Sequence, residues 1–339
     1  MKDINFPIGV FLHSLAAGTI EDSIQIAADL NLNTMQIGPL PAEYFHQDQA
    51  GADSARSLRQ ALEGVKQKTK VSSICVAYEG APGTIGIEDY SSIDSIANTG
   101  GYGYQLPDDR VLRWRIDLTK KHIDFGASLR EADMLHGDKL IVTTHIGFID
   151  RDPQRGQIVR ALTEVLEYCD KAGAYLGIET GSEHIVGLIG FIKEMEQITG
   201  IHRLGLNFDP ANFFLYGTQD PIEALSYISA TKNGHYVYGV HAKDAAHFPR
   251  TELNPLAEGN WKGAEVPLGL GSVQWLPTII ALDNMGYKGS LTIEREGQLI
   301  NPENGEPEMD RLYVAEQRMG DIAHARDVLL NVQRYARRM

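Results

Sequence analysis

The chain has 339 residues, 43% of them hydrophobic, and a formal net charge of −14 with a pI near 5.2. A field of that sign repels phosphate backbones and argues against nucleic acid as the main partner. Two cysteines, Cys75 and Cys169, are too few for a disulfide framework and lack CxxC metal spacing. They read as small apolar residues. No apolar run has the length of a transmembrane helix, so no membrane partner is expected. Residues 1–18 are interrupted by Asp3, Asn5, Pro7 and His13 and make a poor signal peptide, which leaves a cytoplasmic location as the expectation.

Apolar runs of strand length alternate with segments of helical period from one end to the other. A strand over 6–11 leads to a helix near 19–31, where Thr19 can cap and Glu21 and Asp22 fill the first turn. Ile20, Ile24, Ala27 and Ala28 share one face of that helix. Strands over 34–38 and 71–78 follow, with helices near 54–69 and 114–135. The strand over 139–145 precedes a helix near 155–173, which Lys171 and Gly173 close with a cation and a helix-stopping glycine. Strands over 175–179, 204–209, 236–241 and 290–294 alternate with helices near 184–199, 220–230, 273–286 and 315–337. Arg334, Arg337 and Arg338 suit the end of the last helix.

Eight strands, each followed by a helix, predict a (β/α)₈ barrel in one domain spanning 1–339. A doubly wound open sheet is the second choice, but no glycine-rich dinucleotide loop follows the first strand. Insertions over 79–113, 245–271 and 296–310 follow strands three, seven and eight. Long loops at those places lie on the catalytic face of such barrels. The stretch from Tyr90 to Tyr104 could stack on a sugar or pack on itself.

Glu179, Asp209, His241 and Glu294 each close an apolar run, at intervals of 30, 32 and 53 residues. The first two intervals match one strand-plus-helix unit and the third a unit carrying an insertion. Four such residues at one end of consecutive parallel strands converge on a point that suits a divalent metal. Carboxylates are seldom buried unless paired or bound to a cation, so three at strand ends need a cause. The plainer cause, a basic neighbour or a helix cap for each, explains one residue better than the set. Three oxygens and one nitrogen suit one divalent ion, Mn²⁺ foremost, with Mg²⁺, Co²⁺ or Zn²⁺ also compatible. His145 ends strand four, where it could bind substrate or be an interior hydrogen-bonded histidine. Lys243, two residues past His241, could hold substrate oxygens or pair with Asp209 or Asp244. Arg295 and Glu296 could orient Glu294. Lys243 and Arg250 could meet a phosphate, although neither lies in a phosphate loop.

Glu179, Asp209-Pro-Ala-Asn212, His241-Ala-Lys-Asp244, the run from Gly269 through Gly271 to Trp275, and Ile293-Glu294-Arg295-Glu296 together resemble the xylose-isomerase-like TIM-barrel family. That family includes sugar phosphate isomerases and epimerases, ketose 3-epimerases and inosose dehydratases, with endonuclease IV as a relative. The resemblance covers strands four to eight well and the first three in outline. It implies that Glu179, Asp209, His241 and Glu294 bind one divalent metal, with Glu179 and Glu294 also catalytic as acid and base. Asn212 and His247 stand where the family contacts substrate, and Arg295 joins His145 and Lys243 as a further candidate. A homodimer or homotetramer is also implied by the family alone. Gln36 stands where many members carry a glutamate, which puts a role for that position in doubt. Asn212, Cys75 and Ala77 stand where endonuclease IV needs metal ligands, which excludes the nuclease reading.

The chemistry implied is isomerisation or epimerisation of a small sugar or sugar-like substrate through an enediolate. Two glutamates on opposite faces would invert a stereocentre, whereas one working face favours aldose–ketose isomerisation. Loss of a β-hydroxyl from the same intermediate would make an inosose-type dehydratase. A non-catalytic sugar-binding barrel is the rival from another class.

Overall fold

The computed structural model describes residues 4–40, 42–45, 49–76, 103–104, 109–149, 155–247, 263–297 and 310–339. The eight apolar runs form short, buried strands that close into a parallel barrel. In chain order the elements are β1 (Ile8–Phe11), α1 (Ile20–Asp29), β2 (Thr34–Ile37), α2 (Gln49–Val65), β3 (Lys70–Val76) and α3 (Asp109–Glu131). They continue with β4 (Leu140–Thr144), α4 (Arg155–Ala172), β5 (Ala174–Glu179), α5 (Ile185–Thr199), β6 (Leu204–Phe208), α6 (Pro210–Tyr216) and α7 (Pro221–Ala230). The last are β7 (Val237–Ala242), β8 (Asp244–His247), β9 (Gly263–Val266), α8 (Trp275–Asn284), β10 (Leu291–Ile293) and α9 (Arg311–Ala336). The barrel runs β1-β10-β7-β6-β5-β4-β3-β2 and closes on itself, so no strand edge is left unpaired. β8 and β9 stand apart as an antiparallel pair.

Local signals explain several boundaries. Thr19 accepts a hydrogen bond from the Asp22 amide at 3.0 Å, and α1 buries Ile24, Ala27 and Ala28. The first strand starts at Ile8 rather than residue 6 because the Gln333 side chain occupies both backbone groups of Phe6. The helix expected at 54–69 begins at Gln49, whose amide donates to Asp53, and stops at Val65, whose carbonyl takes the Lys68 and Thr69 amides. The helix expected at 114–135 stops at Glu131 because Asp133 turns left-handed (φ 55°) and Leu135 bridges to Val71.

A short helix and a hairpin were not expected. Asp209 caps the short helix α6, with Pro210 in its first turn, where a missing N–H costs nothing. The insertion after β7 opens and closes as the hairpin β8–β9, paired from Asp244↔Val266 to His247↔Gly263. Residues 77–102, 105–108, 248–262 and 298–309 lie outside the described residues, and with them most of the three expected insertions, including Arg250. Of the Tyr90–Tyr104 stretch only Gly103 and Tyr104 are described. Tyr104 is fully buried with its hydroxyl 3.0 Å from Thr119 Oγ1, so it packs inward. Among the described residues no helix is long and apolar enough to cross a membrane.

The two ends of the barrel differ in content. At the N-terminal end, Tyr175 and Tyr238 meet edge to face at 5.2 Å. Lys139 lies 5.0 Å and 5.4 Å from their ring centroids, and Arg203 lies 5.0 Å from that of Tyr175. At the C-terminal end stand the polar residues described next. Two register shifts punctuate the strands: β2 slips against β3 between Met35 and Gln36, and β6 slips against β7 between Leu206 and Asn207.

Candidate metal centre

Glu179 is the last residue of β5, Asp209 follows β6, His241 lies near the end of β7 and Glu294 follows β10. One ligand-type atom from each lies within 4.8 Å of the others. Strand register produces this convergence: parallel neighbours pair Glu179 with Asn207 and His241 with Thr292, so four strand ends reach the same height.

His241 is the hub. Its Nδ1 lies 3.1 Å from Glu179 Oε1 and 3.0 Å from Glu294 Oε2. Its Nε2 lies 2.8 Å from Gln36 Oε1, while Gln36 Nε2 donates to Thr143 Oγ1 at 3.0 Å. With Gln36 as acceptor, Nε2 carries a proton and Nδ1 faces the carboxylates. Burial opposes a charge on His241, but Glu179 and Glu294 beside it raise its pKa well above the ordinary histidine value.

Asp209 divides its two oxygens. Oδ1 accepts from the backbone N–H groups of Ala211 at 2.8 Å and Asn212 at 3.1 Å, capping α6. Oδ2 is buried with no hydrogen-bond partner among the described residues. Burial pushes the Asp209 pKa well up, opposed by Lys243, whose Nζ is 3.8 Å from Oδ2. The helix-cap reading and the ligand reading therefore apply to different atoms of one side chain.

Lys243 is buried, with Nζ 3.0 Å from Glu294 Oε2 and 2.7 Å from Glu296 Oε2. Burial would depress its pKa, but Glu294, Glu296 and Asp209 hold it well above the usual lysine range. Burial alone would raise Glu294, and His241 and Lys243 overcome it to hold that carboxyl far below the carboxylate range. Asp244, the other partner weighed for Lys243, instead accepts N–H groups from Ala245, Gly269, Gly271 and Val273. A Cβ on Gly271 would stand 2.0 Å from Asp244 Oδ1, which explains a glycine in that loop.

The remaining candidates are placed as follows. Asn212 is buried and donates to Glu179 Oε1 at 3.3 Å. His145 is half-buried just past β4. His247 ends β8 opposite Gly263. Arg295 spends its guanidinium on Glu265 and Asp321, linking β9 and α9 to the segment after β10. Arg318 donates to the carbonyls of Glu296 and Gly297 in the same segment. Cys75, half-buried on β3, feels Glu179 and Glu294, and burial with those charges raises its thiol pKa. Cys169 is fully buried.

Two supporting residues escaped the sequence reading. Gln36 is fully buried against His241, so the position doubted for lacking a carboxylate is in contact with a ligand. Asn207 donates to Glu179 Oε2 at 2.6 Å and lies 3.0 Å from His241 Nε2. Their only signal was a buried-strand context around an uncharged amide.

The donor set fits a divalent cation. It offers three carboxylates, one imidazole and an unsatisfied buried oxygen on Asp209. Ligands about 2.0–2.2 Å from one ion lie up to about 4.4 Å apart, so the observed spread needs only slight closure.

The xylose isomerase-like TIM barrel family model matches residues 24–314, and the chain belongs to that family. A xylose isomerase domain protein from Planctomyces limnophilus is 25% identical with a TM-score of 0.67, covering 98% of this chain and 99% of its own. A xylose isomerase-like TIM barrel protein from Mycobacterium smegmatis in complex with magnesium is 17% identical, with a TM-score of 0.60 and 99% of each chain covered. An L-ribulose 3-epimerase is 14% identical with a TM-score of 0.60, covering 98% of this chain and 96% of its own. No functionally curated protein sequence matches the chain.

Proposed function

We propose that the chain is a metal-dependent sugar isomerase or epimerase of the cytoplasm, acting on a ketose or related polyhydroxylated carbonyl compound. The observation that carries the reading is the convergence of Glu179, Asp209, His241 and Glu294 with Asp209 Oδ2 left unsatisfied. The epimerase and magnesium-complex neighbours support it at the level of shared architecture.

A divalent ion held by those four residues would supply Lewis-acid stabilisation of charge developing on a substrate carbonyl oxygen. Mn²⁺ is our first choice, ahead of Mg²⁺, Co²⁺ and Zn²⁺, for a mixed set of carboxylate oxygens and one imidazole. The residues of the chain supply the rest. Gln36 holds His241 in the tautomer that turns Nδ1 toward the carboxylates. Lys243 brings a fixed buried cation beside Glu294, suited to a substrate oxygen that gains negative charge. Removing a proton next to the carbonyl falls to a strand-end glutamate within hydrogen-bonding reach, and yields an enediolate. His145, Asn212 and His247 are our candidates for the sugar hydroxyls, and Arg295 for support of the Glu294 segment.

The test is incubation of Mn²⁺-loaded protein with a ketose panel and an inosose panel in D₂O, followed by NMR. Deuterium entering a carbon-bound position without loss of water is the expected result. An enone or dione absorbance would make the protein a dehydratase instead. No exchange with any compound would overturn the enzymatic reading.

A further inference from the structure

Lys243 is a buried ammonium with three protons to place, so it needs acceptors. Three carboxylate oxygens surround its Nζ: Glu296 Oε2 at 2.7 Å, Glu294 Oε2 at 3.0 Å and Asp209 Oδ2 at 3.8 Å. Glu294 and Asp209 belong to the set that would hold an ion, and they differ in what they can spare. Glu294 has a second oxygen to offer. Asp209 does not, because its Oδ1 is committed to the amides of α6 and only Oδ2 remains. An ammonium drawn onto Oδ2 would take the one oxygen that Asp209 can give to a metal.

Glu296 lies outside that set and is the nearest of the three. Its side chain is 47% exposed, whereas that of Lys243 is 5% exposed. A carboxylate so open to water ordinarily gains little from an ion pair, since holding it still costs side-chain entropy. Here the backbone beneath it is already fixed. The buried Glu265 carboxylate accepts the Glu296 N–H at 2.9 Å with Oε1 and the Gly297 N–H at 2.8 Å with Oε2. Arg318 donates to the carbonyls of the same two residues, and the Arg295 N–H goes to Ser14 Oγ at 2.9 Å. A Cβ on Gly297 would stand 3.2 Å from that of Glu265, so a side chain there would crowd the clasp. The need to satisfy buried backbone groups accounts for the clasp. It does not account for a half-exposed carboxylate turned onto Lys243 rather than into water.

Resting on the proposed metal binding, we propose that Glu296 is a positioning residue whose partner is Lys243 rather than its sequence neighbour Glu294. Held by Glu265 and Arg318, Glu296 keeps the Lys243 ammonium off Asp209 Oδ2. A metal ion and an ammonium can then stand side by side among shared carboxylates, with the ammonium left to meet a substrate oxygen. Without Glu296, Lys243 would take its second carboxylate from Asp209 and compete with the ion.

The experiment is a double-mutant cycle read by calorimetry with Mn²⁺ alone, with circular dichroism to check the fold. Glu296→Gln is made in the unaltered protein and in proteins carrying Lys243→Met or Lys243→Gln. These are two uncharged replacements of similar length, and either one that folds completes the cycle. Glu296→Gln alone should weaken Mn²⁺ binding by roughly 10–100-fold, as expected for a residue acting on a site through another group. With the ammonium gone, the same substitution should cost little or nothing. An equal loss in both backgrounds would show that Glu296 acts by its charge or through the fold, and would overturn the inference while leaving the proposed function intact. Unchanged Mn²⁺ affinity in Glu296→Gln would do the same. Absence of Mn²⁺ binding by the unaltered protein would overturn the functional reading and the inference with it.

Discussion

The two ends of this barrel solve opposite problems with their charged groups. At the N-terminal end, Lys139 and Arg203 lie over the rings of Tyr175 and Tyr238, so each cation meets an aromatic face or a surface partner such as Asp170. At the C-terminal end, Glu179, Asp209 and Glu294 crowd around one histidine and one lysine, and one buried oxygen has no hydrogen-bond partner among the described residues. The first arrangement is complete within the chain. The second leaves a buried carboxylate oxygen without a hydrogen bond among the described residues, and buried groups left in this way mark sites where function is set against stability.

Substitutions at the two ends should therefore fail differently. The largest effect on the fold is expected from Tyr238→Ala, which empties the lower barrel and removes a ring that Gly205 is shaped to admit. A loss of about 3–5 kcal/mol is expected by analogy with other large aromatic truncations. Urea denaturation would measure it, and Mn²⁺ affinity of the folded fraction should persist; loss of metal binding at modest destabilisation would break the contrast.

Asp209→Asn is the converse. Asn keeps the oxygen that caps α6 and removes the charge whose burial is unfavourable. Mn²⁺ affinity should fall by at least about 100-fold, since losing a ligand costs more than losing the support of one. Stability without metal should hold or rise by about 1 kcal/mol, since a carboxyl with a raised pKa weakens the fold wherever it is ionised. A marked loss of metal-free stability would show that Asp209 is structural first.

The smallest effect concerns pH. His241 has a raised pKa, so its imidazolium stabilises the metal-free fold fully below the ordinary histidine value near 6.5 and loses this as pH rises through the raised value. A metal held through the same Nδ1 would displace that proton. Affinity should climb by up to about tenfold per pH unit over the range where His241 is charged. A flat profile, with no proton release in buffers of different ionisation enthalpy, would place the metal elsewhere.

Much of this contrast was legible in the sequence, and the illegible part has physical causes. The barrel strands showed because each is an apolar run long enough to stand out between turn residues. The four strand-end residues showed because a charge at the end of such a run is anomalous. Asp209 was read as a ligand with a helix cap as the plainer alternative; that one side chain could serve both was not foreseen, although Pro210 after an acidic residue is a helix-start signal. The hairpin strands β8 and β9 are four residues each and pair across an insertion, so no local pattern announces them. Gln36 and Asn207 were invisible as functional residues because an amide inside a strand carries no charge. Their importance lies in the neighbours that register brings to them.

Lys243 has one more consequence, which concerns the order of assembly. With His241 it places two positive groups among the carboxylates of Glu179, Asp209, Glu294 and Glu296. Small metal-nucleated domains stay unfolded until the ion arrives. Here the repulsion that would otherwise spread four strand ends apart is already neutralised in part by the polypeptide. The barrel can be completed without an ion, so loading with a divalent metal would be a property of the finished protein, undone and repeated without unfolding it.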